Sequence, residues 1–287
     1  MNLNMLEVEN IVRRALAEDI GTGDITTAVT IPAASKSRAQ IIAKEDGVIA
    51  GIDVARLVFA LTAECYGFDP KKGLTFEPKL ADGDTATRGT VIAEITGPTN
   101  VILTGERTAL NIMQRMSGIA TKTAHLVSLV RNTKAKIVDT RKTTPGLRIL
   151  EKYAVRCGGG ANHRFGLYDA VLIKDNHVQA AGGIIPAIDK ARSAVPHTIK
   201  IEVETDTLEQ VEQALSAGAD MILLDNMNPA ILREAVALCA KLAVTEASGG
   251  ITEETIVAVA EAGVDLISVG ALTHSVKSLD LSLEILP

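Results

Sequence analysis

TIKIEVETDTLEQVEQALSAGADMILLDN (198–226) reads as one complete strand–helix–strand phrase. Its ends, TIKIEVET (198–205) and MILLDN (221–226), are short aliphatic and β-branched runs, the composition of strands. Between them Thr207 to Ala217 has the pattern of a helix, with Asp206 placed as its N-cap and Gly218 just past its end. The phrase recurs on both sides. Upstream lie the runs KIVD (136–139) and AVLIKD (170–175); downstream lie LAVTEAS (242–248) and LISVG (266–270). Helical patterns fill the gaps at Leu147 to Val155, Ile184 to Ala194, Pro229 to Ala240 and Thr252 to Ala262. Asn228 and Thr252 are placed as further N-caps, and AGVD (262–265) repeats AGAD (217–220). Strands alternating with helices imply parallel βαβ units, so the fold class is α/β. About six such units fit a (β/α) barrel better than a small open sheet. A doubly wound sheet is the alternative.

Each run ends in something polar or in glycine. The series is Asp139 with Arg141 and Lys142, then Lys174, Glu202 and Glu204, Asp225, Glu246 with Ser248, Gly249 and Gly250, and finally Gly270. In a parallel barrel all of these lie at the C-terminal rim, where barrel enzymes place their chemistry. The rim divides by charge. Early strands contribute cations (Arg141, Lys142, His163, Arg164, Lys174), and arginine forks suit planar carboxylates and phosphates. Middle strands contribute Glu204 and Asp225, which suit sugar hydroxyls or a hard cation such as Mg²⁺. Late strands contribute SGG at 248–250 and Gly270, where bare amides at helix starts can hold a phosphate. Together these describe an anionic substrate beside a phosphorylated sugar.

The cationic part is concentrated. From Lys134 to His177 there are nine Lys or Arg against four Asp or Glu, in a chain of formal net charge −6. A local field of that sign steers a small polyanion whatever the total. The totals exclude other classes. At 287 residues, 47% hydrophobic and 22% charged, the chain has globular composition and room for one large or two ordinary domains. Aromatics at 2% leave no stacking platform for single-stranded nucleic acid. No apolar run reaches membrane-spanning length, and MNLNMLEVEN lacks the basic start and apolar core of a leader, so a soluble, cytoplasmic protein is expected. Cys65, Cys157 and Cys239 are odd in number and form no CxxC, which fits reduced thiols.

The first hundred residues read as a mixed α+β domain. Leu6 to Leu16 is an amphipathic helix ending at EDIGTGDITT, where Thr22 or Asp24 can cap or turn the backbone. Strand-like pieces follow at Arg38 to Lys44, Gly47 to Ile52 and Val91 to Thr96, with a helical pattern over Val54 to Leu61. Thr104 to Leu129 reads as one long helix, with Ser117-Gly118 as a candidate interruption and Arg107 near its start. By spacing alone Arg107 reads as a solvated helix-end charge.

Several rival motifs fail on their own chemistry. The hairpin-like LADGDTATRGTVIAEITG resembles lipoyl or biotinyl carriers, but Lys44 in AKEDG lacks the flanking methionines. KIVDTRKTTPG has one acid where doubly wound phosphoribosyltransferases have two adjacent. Gly158-Gly159-Gly160 is followed by no Gly-Lys-Ser/Thr, so it is not a Walker loop. Cys157, His163 and His177 have irregular spacing and basic neighbours, poor terms for zinc. No GxSxG or other nucleophile motif supports covalent catalysis.

TRKTTPGLRILEKYAVRCGGGANHRFGLYDAVLIKDNH (140–177) closely resembles the quinolinate phosphoribosyltransferase family, the carboxylating nicotinate-nucleotide pyrophosphorylases. The likeness continues through EDIGTGDITT, GERTALNIMQRMSGIAT, IEVET, LLDNM, EASGGI and ISVGALTHS, and so covers nearly the whole chain. Related molybdenum-transport-associated proteins share TRK and HR but typically lack KDNH. The resemblance implies an N-terminal α/β sandwich domain (1–112) and an incomplete α/β barrel of about six to seven parallel strands (113–274). The tail at 275–287 would return to the first domain. It also implies a homo-oligomer, dimer or hexamer, in which Arg107 is donated in trans to the substrate carboxylates. Arg141, Lys142, His163, Arg164 and Lys174, with Thr140, match the family's quinolinate pocket. Glu204 and Asp225 match the acids near the ribose hydroxyls and Mg²⁺, which they would hold indirectly. Ser248, Gly249, Gly250, Gly270 and Ala271 match the 5′-phosphate cup, with His274 beside it. The implied reaction joins quinolinate to 5-phosphoribosyl 1-pyrophosphate, giving nicotinate mononucleotide, pyrophosphate and CO₂. It needs Mg²⁺ and no organic cofactor. Lys142, Lys174, Glu204 and Asp225 are the candidate catalytic residues, with Lys142 or Lys174 supplying the proton that replaces CO₂. The alternatives are a phosphoribosyltransferase for another pyridine carboxylate, such as nicotinate, and a non-catalytic phosphosugar-binding protein.

Overall fold

The computed structural model describes residues 3–287. In chain order its elements are α1 (Met5–Ile20), α2 (Ile25–Thr30), β1 (Lys36–Ala43), β2 (Gly47–Val48), α3 (Ile52–Cys65), β3 (Thr75–Pro78), β4 (Thr85–Ala86), β5 (Val91–Pro98) and α4 (Thr99–Val130). Then follow β6 (Lys136–Val138), α5 (Arg148–Cys157), β7 (Val171–Ile173), α6 (Asp175–Ala181), α7 (Ile184–Ala194), β8 (Ile201–Thr205), α8 (Leu208–Ser216) and β9 (Met221–Asp225). The chain ends with α9 (Pro229–Cys239), β10 (Val244–Ser248), α10 (Glu253–Glu261), β11 (Leu266–Ser268), α11 (Ala271–His274) and β12 (Leu281–Ile285). Two compact units divide it. One gathers the chain up to Ala124, Thr143–Gly159 and Thr273–Pro287; the other comprises His125–Lys142 and Gly160–Leu272.

The first unit is built on an antiparallel sheet of order β12-β1-β5-β3. Alternation along β1 buries Ala39, Ile41 and Ala43 while the residues between them stay partly exposed, the signature of a sheet covered on one face. Val54, Val58 and Phe59 of α3 and Ile102, Leu110 and Met113 of α4 are fully buried in the same unit. The C-terminal strand joins this sheet, Ala39 pairing with Ile285. Ser117-Gly118 does not interrupt α4. The Ser117 hydroxyl accepts the Ala50 N–H at 3.0 Å, and a Cβ at Gly118 would stand 2.2 Å from the Lys277 carbonyl oxygen. The glycine is a packing choice: it lets the tail pass close enough for the Leu279 N–H to reach the Gln114 carbonyl at 2.9 Å. The strand expected over Gly47 to Ile52 ends at Val48 instead. Gly51 turns the chain at φ 101°, and Asp82 accepts the Ile52 N–H at 3.0 Å to start α3.

The second unit is a six-stranded parallel sheet of order β6-β11-β10-β9-β8-β7. From β7 to β11 every strand lies beside its successor, and β11 returns to β6. That cyclic order is the incomplete barrel; a doubly wound sheet reverses direction in its middle, and this one does not. β9 is apolar on both sides, with Ile222, Leu223 and Leu224 buried, because helices cover the outside, while β8 and β10 carry buried Glu202 and Glu246. Ile188, Val211, Leu232, Ile256 and Val259 supply that cover, each fully buried side chain contributing roughly 1.5–3 kcal/mol. Two details of the predicted elements change. The N-cap of α8 is Thr207 rather than Asp206: the Thr207 hydroxyl accepts the Gln210 N–H, while the Asp206 N–H donates to Gln210 Oε1. The run read as a strand over 170–175 ends at Ile173 instead, and Lys174 caps the helix α6, its N–H donating to His177 Nδ1 at 3.0 Å.

Candidate active site

A cavity of about 650 Å³ opens at the C-terminal end of the parallel sheet, within the size range of small-molecule sites. Thr140, Arg141, Lys142, His163, Arg164 and Lys174 form one wall; Glu204, Asp225 and Asn226 a second; Ser248, Gly249 and Gly250 a third. Leu172, Leu223, Glu246 and Ser268 complete the lining. A larger cleft of about 760 Å³ lies at the opposite strand ends. Two of its lysines are already paired there, Lys134 with Asp265 at 2.6 Å and Lys200 with Asp220 at 3.2 Å. It lacks the cluster of two arginines, two lysines and a histidine that lines the rim cavity.

The cation wall follows directly from β6 and β7. Beyond β6 the loop carrying His163 and Arg164 is pinned from several sides. Fully buried Asp139 accepts the His163 N–H at 2.9 Å and the Asn162 side-chain amide at 2.6 Å. Asp169 accepts the Phe165 and Gly166 N–H groups. Arg164 spends Nη1 on the Ala170 carbonyl at 3.0 Å, and its Nε is buried with no hydrogen-bond partner among the described residues. Burial, and after it the neighbouring Arg141, lower the Arg164 pKa. Two guanidiniums brought together in a partly dry wall repel one another, and an anion placed against them relieves the repulsion. The Lys142 N–H donates to Thr140 Oγ1 at 3.0 Å, closing a bend at Arg141.

The acid wall comes from the ends of β8 and β9. Lys174 Nζ reaches Glu204 Oε2 at 2.9 Å, so the cation and acid walls meet there. Asp225 accepts from the Asn226 side-chain amide at 2.6 Å, and the Asn226 N–H donates to the Ser248 carbonyl at 2.9 Å. Asn226 takes positive φ (54°), a conformation that asparagine tolerates better than most residues. Gly249 at φ +91° lies against it: a Cβ there would be 2.2 Å from Asn226 Oδ1 and 2.9 Å from its backbone nitrogen. Only glycine fits. Gly250 follows at φ +59°, and α10 starts three residues beyond it, capped by Thr252.

Below the walls three side chains converge. His163 Nε2 lies 2.9 Å from Glu202 Oε2 and 3.6 Å from Glu246 Oε1, with the three side chains 11%, 4% and 1% exposed. Burial first, and then the charge of Glu202, push the Glu246 acid up to about 7, while His163 opposes the shift.

The remaining residues singled out in the sequence stand elsewhere. Gly270 and Ala271 follow β11 at the same end of the sheet, outside the residues lining the cavity. Arg107 and His274 belong to the first unit, where both are exposed. Glu202 and Glu246, read from the sequence as rim residues, lie in the floor instead, and Asn226, Leu172 and Leu223 belong to the site without having been assigned to it. Strand parity carries the signal for the two acids: Glu202 stands two residues before Glu204, and Glu246 two before Ser248, so each pair shares a face.

Comparison with known proteins agrees with this geometry. The sequence profile of the quinolinate phosphoribosyl transferase C-terminal domain matches residues 119–284, and that of the N-terminal domain matches residues 24–117. The chain is 48% identical over 284 residues, 99% of its length and 95% of the relative's, to a Bacillus subtilis (strain 168) protein named "Probable nicotinate-nucleotide pyrophosphorylase [carboxylating]". It is 46% identical over 278 residues, 96% of this chain and 95% of the other, to the carboxylating nicotinate-nucleotide pyrophosphorylase of Mycobacterium leprae (strain TN). The solved structure of the Francisella tularensis nicotinate-nucleotide pyrophosphorylase superposes with a TM-score of 0.91 at 40% identity, covering 99% of this chain and 98% of that one.

Proposed function

The chain belongs to the quinolinate phosphoribosyl transferase family, and from that premise we propose how its residues carry the family's reaction. The enzyme transfers the phosphoribosyl group of 5-phosphoribosyl 1-pyrophosphate to quinolinate with decarboxylation. The products are nicotinate mononucleotide, pyrophosphate and CO₂, and the step belongs to NAD biosynthesis. One observation carries the assignment of roles: a single cavity joins the Arg141–Arg164 wall to Glu204, Asp225 and the Gly249-Gly250 turn.

Arg141, Arg164, Lys142 and Lys174 receive the two carboxylates of quinolinate, the buried Arg164 Nε supplying a donor that the fold leaves unused. Leu172 and Leu223 are the apolar surfaces against which a pyridine ring can lie. Ser248, Gly249 and Gly250 take the 5′-phosphate on backbone amides and a hydroxyl. Glu204 and Asp225 face the ribose and favour the positive charge that develops on its anomeric carbon as pyrophosphate departs. Ribosylation of the ring nitrogen then makes a pyridinium that stabilises the carbanion left by CO₂. The cations orient the ring, which the chemistry needs more than a strong base. Lys142 or Lys174 delivers the replacing proton. A Lys142→Ala enzyme with near-normal turnover would remove Lys142 from that role.

The donor set suits Mg²⁺ that arrives with the pyrophosphate. Among the described residues Glu204 and Asp225 belong to no cluster of three or more metal-type side chains, so they form no protein cage. One or two carboxylates plus substrate oxygens and retained water is the arrangement this ion prefers. When bound it neutralises the departing pyrophosphate. We assign the working form as a homo-oligomer, dimer or hexamer, in which Arg107 serves a partner's pocket. Leu6, Ile25 and Val29 on the first unit, 76–79% exposed, are apolar surface of the kind a partner covers. Among the described residues no helix is long and apolar enough to cross a membrane, which is compatible with a cytoplasmic enzyme.

The experiment that tests the acceptor is a competition between quinolinate and nicotinate. The cation excess predicts that quinolinate is consumed, with CO₂ released. Nicotinate used with equal efficiency would contradict it.

A further inference from the structure

Glu202 and Glu246 lie one layer below the substrate-facing rim. They share strand faces with Glu204 and Ser248 but sit two residues deeper, about 6.6 Å along the strand. Both are almost fully buried, at 3% and 1% exposure. Glu202 Oε1 and both Glu246 oxygens have no hydrogen-bond partner among the described residues. A buried carboxyl without a donor costs folding free energy, and apolar residues of similar size in its place are often neutral or stabilising. Stability alone therefore does not account for two such acids on different strands. What they face is the His163 ring, through Nε2 at 2.9 and 3.6 Å. On its other side the ring receives the Arg164 main-chain N–H on Nδ1 at 2.8 Å. An Nδ1 that accepts carries no proton, so this network assigns the ring proton to Nε2, directed at Glu202. The imidazole is a strut between an acidic floor and the main chain of Arg164.

We propose that Glu202 and Glu246 are positioning residues for the dicarboxylate pocket: they fix the His163 ring and, through it, the main chain that carries Arg164. The proposal rests on the reading of Arg164 as a quinolinate ligand. It deepens that reading by adding the layer that sets the arginine's place.

The test uses the full-length enzyme with Glu202→Met, Glu246→Met and Glu202→Gln. In the two methionine variants the quinolinate KM rises about tenfold or more, because small misplacements at such a site are expensive. The phosphoribosyl pyrophosphate KM stays within about twofold of wild type, since its cup is set by the glycine turn beyond the end of β10, fixed against Asn226 rather than by the His163 ring. The thermal midpoint of Glu246→Met does not fall, whereas Glu202→Met, which leaves the buried Nε2–H without its acceptor, melts a few degrees lower. Glu202→Gln, whose amide oxygen can accept the Nε2–H, recovers most of the lost affinity. An unchanged quinolinate KM in both methionine variants would overturn the proposal. So would parallel rises in both KM values with a lowered midpoint, or failure of either variant to fold, because each makes the acids structural. A divalent ion retained by dialysed wild type and absent from Glu246→Met would also overturn it, since a metal would claim the Nε2 lone pair. Wild-type enzyme in the same assay keeps the two readings apart. No product from wild type counts against the function, whereas product with unmoved variants counts against the positioning role alone.

Discussion

Glu246 makes the site's electrostatics measurable. Its acid is raised from an ordinary 4.5 to about 7, chiefly by burial and next by Glu202, while His163 pulls the other way. The folded state therefore binds more protons than the unfolded chain between those two values. Stability must fall as pH rises from about 4.5 to about 7, by something on the order of 3 kcal/mol at most. Urea unfolding at pH 5 and pH 7.5 checks this. Wild type is less stable at the higher pH, and Glu246→Gln removes most of the difference; equal slopes for the two proteins would sink the assignment. Arg164 gives the second residue-scale prediction. Replacing it with lysine keeps a charge but loses the fork and the buried Nε donor, so quinolinate KM should rise roughly tenfold or more while the fold is kept. Most wall residues were legible because a parallel strand's last polar residue is delivered to the rim by topology alone. Glu202 and Glu246 were read with the rim, and the structure sets them a layer deeper, because burial depth along a strand depends on what covers it, and one sequence does not state that.

At the scale of elements, local rules explain the loops that carry the chemistry. The turn after β10 accepts only glycine at position 249, where φ is +91° and Asn226 occupies the space of a Cβ. Gly249→Ala should raise the KM for phosphoribosyl pyrophosphate far more than that for quinolinate, and steady-state kinetics with each substrate varied in turn reads this. Equal effects on both would show that the turn is not a phosphate cup. The Asn228 cap of α9, accepting the Ala230 and Ile231 N–H groups at 3.0 and 3.1 Å, is independent of the site. Asn228→Ala should cost about 1 kcal/mol of stability with activity intact. The alternation of runs and helices from Ile184 onward was readable because polar caps open α8, α9 and α10, and Gly218 and Gly263 close α8 and α10. α6 was hidden, since its first turn, Asp175-Asn176-His177, is polar and depends on His177 accepting the Lys174 N–H. The break after Val48 was hidden too, because Asp82, distant in sequence, starts α3.

For the whole molecule, the parallel barrel followed from counting units, and the strand order confirms a cyclic arrangement closed everywhere except between β6 and β7. Composition could not show that three separated segments, the last containing β12, gather into one unit, since that depends on pairings such as Ala39 with Ile285. Arg107 belongs to this scale, because the role proposed for it requires a second subunit. Inactive Arg107→Ala and Arg141→Ala enzymes, mixed under conditions in which subunits exchange, should regain part of the wild-type activity. No recovery despite confirmed exchange would count against a shared site. The central claim has a more direct test. The purified enzyme is incubated with quinolinate, 5-phosphoribosyl 1-pyrophosphate and Mg²⁺, and nicotinate mononucleotide and CO₂ are followed together. The account predicts one CO₂ for each nucleotide formed, and no nucleotide at all when any of the three components is left out; a complete mixture that yields no nicotinate mononucleotide would contradict it.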